Sequence, residues 1–168
     1  MLAEKYAAQT EKILAKYPDK RSSVMSLLYI SQEEYGYITE EGIREIAVII
    51  GEDPTAVKSV AGFYTMYSKQ PKGKYWLQVC TDLPCALKGA DQFYEDLKEY
   101  LEITEDGGTS PDGLFTVEHV MCLAACDKAP MLQCNFHYAE NLDMEKMKAK
   151  IAEWRAEAAA SKTPGKKA

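Results

Sequence analysis

The spacing of its cysteines constrains this chain more than any other feature of the sequence. Four of the five cysteines form two pairs, Cys80 with Cys85 and Cys122 with Cys126, in which four and three residues separate the partners. The N-terminal residues lack the apolar core of a secretory signal, so a disulfide framework is not expected. Reduced thiols, metal ligands or redox chemistry account for these cysteines better.

The composition restricts the classes of function that are open to the chain. Its 168 residues, 46% of them hydrophobic, suffice for one substantial core or two small ones. The formal net charge of -6 repels nucleic acid and anionic membranes, so neither is an expected partner. No apolar run approaches the roughly 20 residues of a membrane-spanning helix. The N-terminus is not an Arg-rich presequence either, and the sequence predicts a cytoplasmic, bacterial protein.

The first part of the chain, residues 1–70, has the apolar periodicity of a helical bundle. Four helices are expected, the first ending near Tyr17. Thr39 and Asp53 are the expected N-caps of the last two, and Gly36 and Gly51 are expected stops. The predicted buried positions are Val24, Leu27, Leu28, Ser31 and Tyr35 in one helix, Ile43, Ile46, Ala47 and Ile50 in the next, and Val57, Val60 and Ala61 in the last.

The second part, residues 71–160, has the pattern of an α/β domain, and residues 161–168 are expected to be a disordered tail. Two apolar runs of strand length are followed by a hairpin with its turn near Asn135. One helix with a buried stripe from Ala90 to Leu101 lies between the strands, and Asp143 is the expected cap of a last helix. The predicted strands are residues 74–80, 114–121, 131–134 and 136–139, and residues 105–113 are expected to be turns.

The two cysteine pairs occupy equivalent places in this pattern. Cys80 and Cys122 end the first two predicted strands, and Cys85 and Cys126 lie in the loops that follow. If these strands are neighbours in one sheet, four sulfurs converge at one edge. Four thiolates select zinc or an iron-sulfur cluster. Spacing does not exclude zinc, but a domain that already has a sheet and two helices does not need a zinc staple, so iron-sulfur is favoured over zinc and over buried core thiols.

Several other residues could carry chemistry but have a simpler structural interpretation. Cys134, in a predicted strand, is expected to be an inert core thiol. The two histidines could be ligands of a Rieske-type cluster, which four available cysteines make unnecessary. An aromatic string is expected to pack within the bundle rather than to dock a partner, and scattered lysines are expected to be solvated surface. The histidines are His119 and His137, the aromatic string is the segment 63–67, and the lysines are Lys72, Lys74 and Lys88.

The residues around both pairs resemble a known family. The signature comprises DGLFT at 112–116, CLAACDKAP at 122–130, VCT at 79–81 with Cys85 and then KGA at 88–90, and DPTAV and VAGFY at 53–57 and 60–64. Together these motifs resemble the small thioredoxin-like 2Fe-2S subunit, of E type, of NADH:quinone oxidoreductase, the respiratory complex I. The resemblance covers residues 10–155.

This resemblance implies an N-terminal helical bundle joined to a C-terminal thioredoxin-like 2Fe-2S ferredoxin domain. It implies one 2Fe-2S cluster on Cys80, Cys85, Cys122 and Cys126, with no catalytic residue in the chain. The implied partners are a flavoprotein subunit that holds FMN and binds NADH, and other subunits of a peripheral arm on the cytoplasmic side of the inner membrane. A diaphorase subunit of an NAD-linked hydrogenase or formate dehydrogenase is the nearest alternative, and a zinc-stapled interaction module is an alternative of another class.

Two further expectations concern how the chain works. It has no Gly-x-Gly-x-x-Gly motif and no phosphate loop, so it is expected to act only as a subunit and not to oxidise NADH by itself. A thiol-disulfide enzyme would need a Cys-x-x-Cys motif, which neither pair provides. Where the family has glycine between the second pair of ligands, this chain has Ala124, so the loop must accept a Cβ and the reduction potential is expected to change.

Overall fold

The computed structural model describes residues 2–161, and it divides the chain into two compact units that adjoin in sequence between Lys72 and Gly73. We propose that these units are the two domains that the sequence predicts on either side of residue 70. The predicted disordered tail lies outside the described residues, except for Ser161, which ends the last helix. Over residues 2–161, no helix is both long enough and apolar enough to cross a membrane.

The first unit is helical, as its periodicity predicts. Its α-helices are α1 (Leu2–Lys5), α2 (Ala7–Leu14), α3 (Val24–Tyr35), α4 (Glu40–Ile50) and α5 (Pro54–Phe63), and a 3-10 turn (Lys20–Ser23) precedes α3. The sequence predicts a single first helix that ends near Tyr17, but this segment is interrupted at Tyr6 and its second helix ends at Leu14. The Tyr6 hydroxyl donates to Glu34 on α3 at 2.8 Å, a tertiary contact that periodicity does not reveal.

The ends of the later helices in this unit follow the predicted capping chemistry. The Thr39 hydroxyl accepts from the Gly42 N–H at 3.0 Å at the start of α4, and the Asp53 carboxylate accepts from the Thr55 N–H at 2.7 Å at the start of α5. The glycines after α3 and α4 both have a φ of +78°, a conformation that glycine adopts without steric cost. Of the twelve predicted core positions, Val24, Tyr35 and Val60 are half-buried and the others are buried.

The second unit is a five-stranded sheet with helices packed on it. Its elements are β1 (Tyr75–Cys80), α6 (Leu83–Ala86), α7 (Ala90–Tyr100), β2 (Gly108–Thr109), β3 (Phe115–Val120), a 3-10 turn (Cys126–Lys128), β4 (Leu132–Cys134), β5 (His137–Ala139) and α8 (Met144–Ser161). The strand order is β2-β3-β1-β4-β5, and only β1 and β3 are parallel. Sequence reasoning missed α6 and β2, which lie in segments expected to be a loop and turns.

One face of the sheet forms the main core with α7 and α8. Tyr75, Leu77 and Val79 alternate along β1 toward this core, as the period of two in a strand requires. The Tyr75 ring stacks on Phe115 and Trp154 at centroid distances of 5.4 and 5.3 Å, which joins β1, β3 and α8. The predicted cap of α8 is confirmed, because the Asp143 carboxylate accepts from the Lys146 N–H at 2.8 Å.

A row of polar side chains crosses the opposite face of the sheet. The Gln78 amide on β1 donates to Glu118 on β3 at 2.9 Å, and the Gln133 amide on β4 donates to the Gln78 carbonyl oxygen at 3.0 Å. Both glutamines are buried. In the strand register Gln78 lies opposite both of its partners, and Tyr138 on β5 lies opposite Gln133.

Candidate metal centre

The pairing of β1 with β3 brings the two cysteine pairs to one edge of the sheet. The strands are parallel neighbours, and Cys80 lies opposite Val120, two residues before Cys122. The Thr81 N–H donates to the Val120 carbonyl at 3.2 Å, so the pairing continues to the start of both loops. The condition set by the sequence, that these strands be neighbours, is therefore met.

The first cysteine pair is held by a short helix rather than by the expected loop. The Asp82 carboxylate accepts from the Leu83 N–H at 3.0 Å, and Pro84 follows within the first turn, a combination that starts a helix. This one-turn helix, α6, carries Cys85 back toward the strand end. Cys80 and Cys85 are both almost fully buried, and they lie in a small apolar cluster with Ala90, Ala129 and Met131.

The second pair spans a loop whose backbone turns sharply at Ala124. This residue has a φ of +59°, in the left-handed region that a side chain with a Cβ disfavours by about 1–2 kcal/mol. Its N–H donates to Cys122 Sγ at 3.3 Å. The Tyr138 hydroxyl donates to the Leu123 carbonyl at 2.6 Å. Ala124 therefore occupies a conformation that suits glycine, and the loop directs an amide toward the sulfur of Cys122.

The thiols lie close enough to influence one another's ionisation. Burial, a hydrogen bond with Cys80 and the nearby Cys80, Cys126 and Cys122 together raise the pKa of Cys85 to about 12. Desolvation, the charge of Cys122, a hydrogen bond with Cys122 and the charge of Cys80 raise the pKa of Cys126. Cys122 itself is exposed. The other cysteines of both pairs therefore oppose ionisation of Cys85 and Cys126.

The donor set fits an iron-sulfur cluster. In 2Fe-2S proteins four cysteine thiolates hold the cluster, and amide hydrogen bonds to sulfur help to set its potential. Here four cysteines lie at the ends of two paired parallel strands and in the segments that follow them, and one N–H is directed at Cys122 Sγ. No three His, Cys, Asp or Glu side chains in the described range 2–161 converge in the manner of a site for a single metal ion.

Polar and apolar groups around the loops complete the site. Lys88, which follows α6, donates through Nζ to the Asp127 carbonyl at 3.2 Å and so connects the two cysteine loops. Three large apolar side chains close to the cysteines in sequence are unusually exposed, with Leu83 at 69%, Leu87 at 81% and Met121 at 78%. Exposed apolar groups of this kind are typical of a surface that a partner covers.

The remaining candidate residues lie elsewhere. Cys134 is buried in the main core, where burial raises its pKa to about 11 against the opposing influence of Lys150 and with a further contribution from Glu157. His137 is exposed on β5. His119 is exposed on β3 and faces Asp106, with Nδ1 and Oδ1 3.1 Å apart. The burial of Cys134 agrees with the expectation of a core thiol, and the two histidines lie on the surface.

The aromatic string of the helical unit divides into buried and exposed parts. Tyr67 is buried and its hydroxyl donates to the Met25 carbonyl at 2.9 Å, as expected for packing within the bundle. Phe63, in contrast, is 80% exposed and Tyr64 is 40% exposed. Packing therefore explains only the end of the string.

Sequence comparison identifies relatives over most of the chain. An NADH-quinone oxidoreductase subunit from Thermus thermophilus, numbered 2 in that enzyme, is 44% identical over 149 residues, which cover 87% of this chain and 82% of that protein. The E-type subunit of NADH-quinone oxidoreductase from Mycobacterium bovis is 37% identical over 155 residues, which cover 92% of this chain. The chain spans only 61% of that mycobacterial protein's length.

Structural comparison and a family profile agree with the predicted fold. One chain of an NAD+-reducing [NiFe]-hydrogenase in the air-oxidised state superposes with a TM-score of 0.68 over 82% of this chain and 24% of its own length, at 19% identity. At that identity the likeness concerns the fold alone. Residues 10–155 match the profile named thioredoxin-like [2Fe-2S] ferredoxin, which confirms the predicted fold class and type of cofactor. The chain belongs to the thioredoxin-like [2Fe-2S] ferredoxin family.

Proposed function

We propose that this chain carries single electrons through one 2Fe-2S cluster bound by Cys80, Cys85, Cys122 and Cys126. The observation that supports this most directly is the parallel pairing of β1 with β3, which brings both cysteine pairs to the same end of the sheet. Each pair would hold one iron. When bound, the cluster accepts and releases one electron at a time.

The rest of the site holds the four cysteines in place and limits the access of water to them. The apolar cluster of Ala90, Ala129 and Met131 buries the first pair, whereas the second pair stays nearer to solvent. Lys88 joins the loops, and the Ala124 N–H neutralises part of the charge on Cys122. This asymmetry suggests that electrons enter or leave on the side of Cys122 and Cys126.

We further propose that the chain is a subunit of an NADH:quinone oxidoreductase and receives electrons from a flavoprotein that holds FMN and binds NADH. The names of the relatives from Thermus and Mycobacterium support this assignment. Hydride carries two electrons, and a flavin can separate them into single steps. The site in this chain offers thiols but no dinucleotide motif, so the conversion belongs on the partner. Such an assembly places the chain on the cytoplasmic side of a bacterial membrane.

The partner surface is proposed to include the exposed apolar side chains beside the ligands, Leu83, Leu87 and Met121. Their position suits electron transfer, because the distance to the cluster would be short. In the helical unit, Phe63 and Tyr64 form a second exposed candidate for docking. A stable interface would bury at least about 1,000 Å² in total.

A second assignment has one observation in its favour. The fold matches a chain of an NAD+-reducing hydrogenase, so a diaphorase subunit of a hydrogenase remains the alternative. The relatives that reach 44% identity favour the quinone-linked enzyme. Purification of the tagged chain from its native host distinguishes the two, because the co-purifying large subunits differ.

The function is tested by reduction with NADH in the absence and presence of the flavoprotein subunit. The purified chain should be brown and contain two irons and two acid-labile sulfides per chain, as a 2Fe-2S cluster requires. NADH alone should leave its EPR spectrum unchanged, and addition of the flavoprotein should produce the signal of the reduced cluster. Zinc in place of iron, or rapid reduction by NADH without the flavoprotein, would contradict the proposal.

A further inference from the structure

The peptide group between Leu123 and Ala124 is held at both ends. Its carbonyl oxygen accepts a hydrogen bond from the Tyr138 hydroxyl at 2.6 Å, and its N–H donates to Cys122 Sγ at 3.3 Å. In a planar trans peptide the C=O and N–H point in opposite directions. A group that fixes the direction of the carbonyl therefore also fixes the opposite direction of the N–H.

The observed orientation of this peptide carries backbone strain at Ala124. This residue has a φ of +59°, which its Cβ disfavours. Rotating the Leu123–Ala124 peptide by half a turn would bring this φ to about −121°, outside the left-handed region. The same rotation would replace the N–H beside Cys122 with the Leu123 carbonyl oxygen. A contact that holds the observed orientation therefore offsets the strain at Ala124.

We propose that Tyr138 is a positioning residue, whose hydroxyl holds the Leu123–Ala124 peptide so that its N–H faces the sulfur of Cys122. This inference rests on the proposed cluster and adds a residue outside the ligand loops. An N–H donor stabilises negative charge on a thiolate, and reduction adds negative charge. Tyr138 therefore raises the reduction potential without touching the cluster.

The location of Tyr138 permits a clean test. It lies on β5, opposite Gln133 in the register, and its side chain is 51% exposed. Its hydroxyl can be removed by Tyr138→Phe while the ring remains. Tyr100→Phe is the matched control, because Tyr100 is also on the surface of this unit and its ring lies beneath Lys148 instead of against a ligand loop.

The experiment is an EPR-monitored redox titration of the cluster-loaded wild type and the two variants. At a fixed potential, Tyr138→Phe should lower the ratio of reduced to oxidised cluster about threefold to tenfold, as expected for a weakened hydrogen bond to a charged group. A tenfold change corresponds to about 59 mV for one electron. Tyr100→Phe should leave the titration unchanged.

The strain at Ala124 provides a second comparison. Glycine adopts a positive φ at no steric cost, so in an Ala124→Gly background the peptide should keep its orientation with less help from Tyr138. The effect of Tyr138→Phe should then be smaller than in the parent protein. An equal effect in both backgrounds would overturn the role assigned to the strain.

Two results separate this inference from the proposed function. If the wild-type chain binds no 2Fe-2S cluster, the proposed function fails. If the wild type binds the cluster but Tyr138→Phe and Tyr100→Phe titrate at the same potential, the positioning role of Tyr138 is overturned and the proposed function stands.

Discussion

Replacing Cys126 and Cys134 separately should show that cluster binding and the stability of the fold depend on different cysteines. Cys126→Ala removes a proposed ligand near the surface, and Cys134→Ala removes a thiol from the main core. The first variant should lose the cluster and keep the stability of the cluster-free protein. The second should keep the cluster and lose stability.

The size of the second effect follows from burial. The Cys134 side chain is only 8% exposed and packs in the core that contains Leu77 and Met147. Removing one buried sulfur, similar in size to a methylene group, costs about 1 kcal/mol when the small cavity that remains is included. For a unit of this size, that corresponds to a fall of about 4–8 °C in the melting temperature. Cys126 is half-buried and lies outside that core, so its replacement should have a smaller effect.

Tryptophan fluorescence offers a selective assay. Both tryptophans, Trp76 and Trp154, lie in the second unit, so their emission follows the unfolding of the part that carries the cysteines. Stability is measured on cluster-free protein under reducing conditions, and iron and acid-labile sulfide are measured after reconstitution. Full cluster occupancy in the Cys126→Ala protein would refute the ligand assignment. A loss of cluster in the Cys134→Ala protein while the fold persists would refute the separation of the two roles.

Three further substitutions test individual contacts. Ala124→Gly should stabilise the cluster-free second unit by about 0.5–1 kcal/mol, because relief of about 1–2 kcal/mol of left-handed strain exceeds the greater unfolded-state freedom of glycine; an unchanged midpoint of urea unfolding would contradict this. Partial burial of Asp106 opposes its ionisation. Hydrogen bonds from Tyr94 and from the His119 backbone, together with the His119 ring, outweigh this effect and hold the pKa of Asp106 below its usual value. Asp106→Asn should therefore lower the free energy of unfolding at pH 7. Because the native pKa of Asp106 is depressed, the difference from wild type should shrink as the pH falls below about 4. A difference that does not change with pH would argue against the assigned role. In the helical unit, a Cβ at Gly42 would meet the Ser31 hydroxyl oxygen at 2.1 Å, so Gly42→Ala should lower the free energy of unfolding by about 1–3 kcal/mol. Its control is Gly62→Ala, which has open space around the new Cβ and should be neutral or slightly stabilising. Thermal melts followed by circular dichroism compare the two variants.

Features that depend on local chemistry can be predicted from the sequence. The predicted caps at Thr39, Asp53 and Asp143 are confirmed, because an Asx or hydroxyl side chain before an apolar periodic run acts on the backbone within three residues. The predicted hairpin turn at Asn135 is confirmed as well. Asn135 and Phe136 both have positive φ values, as in a two-residue hairpin turn of type I′.

Features that depend on tertiary contacts cannot be predicted in the same way. The sequence pattern places Cys85 in a loop because α6 has only four residues, too few for a helical period to be visible. The bond from Tyr138 to Leu123 depends on the register of β5, which the spacing of the cysteines does not reveal. The family resemblance draws attention to Ala124, but only the backbone angles give the reason for glycine at that position.

The polar row of Gln133, Gln78 and Glu118 has a consequence for the alignment of the two ligand loops. A slip of one residue between β1 and β3 would shift the Cys122 loop by about 3.3 Å along the sheet relative to Cys80, a distance greater than a metal–sulfur bond of about 2.3 Å. Such a slip would also separate the buried Gln78 amide from Glu118, which costs free energy wherever water cannot replace the lost partner. The hydrogen bond between Gln78 and Glu118, neither of which is a proposed ligand, therefore helps to fix the offset between the two cysteine loops.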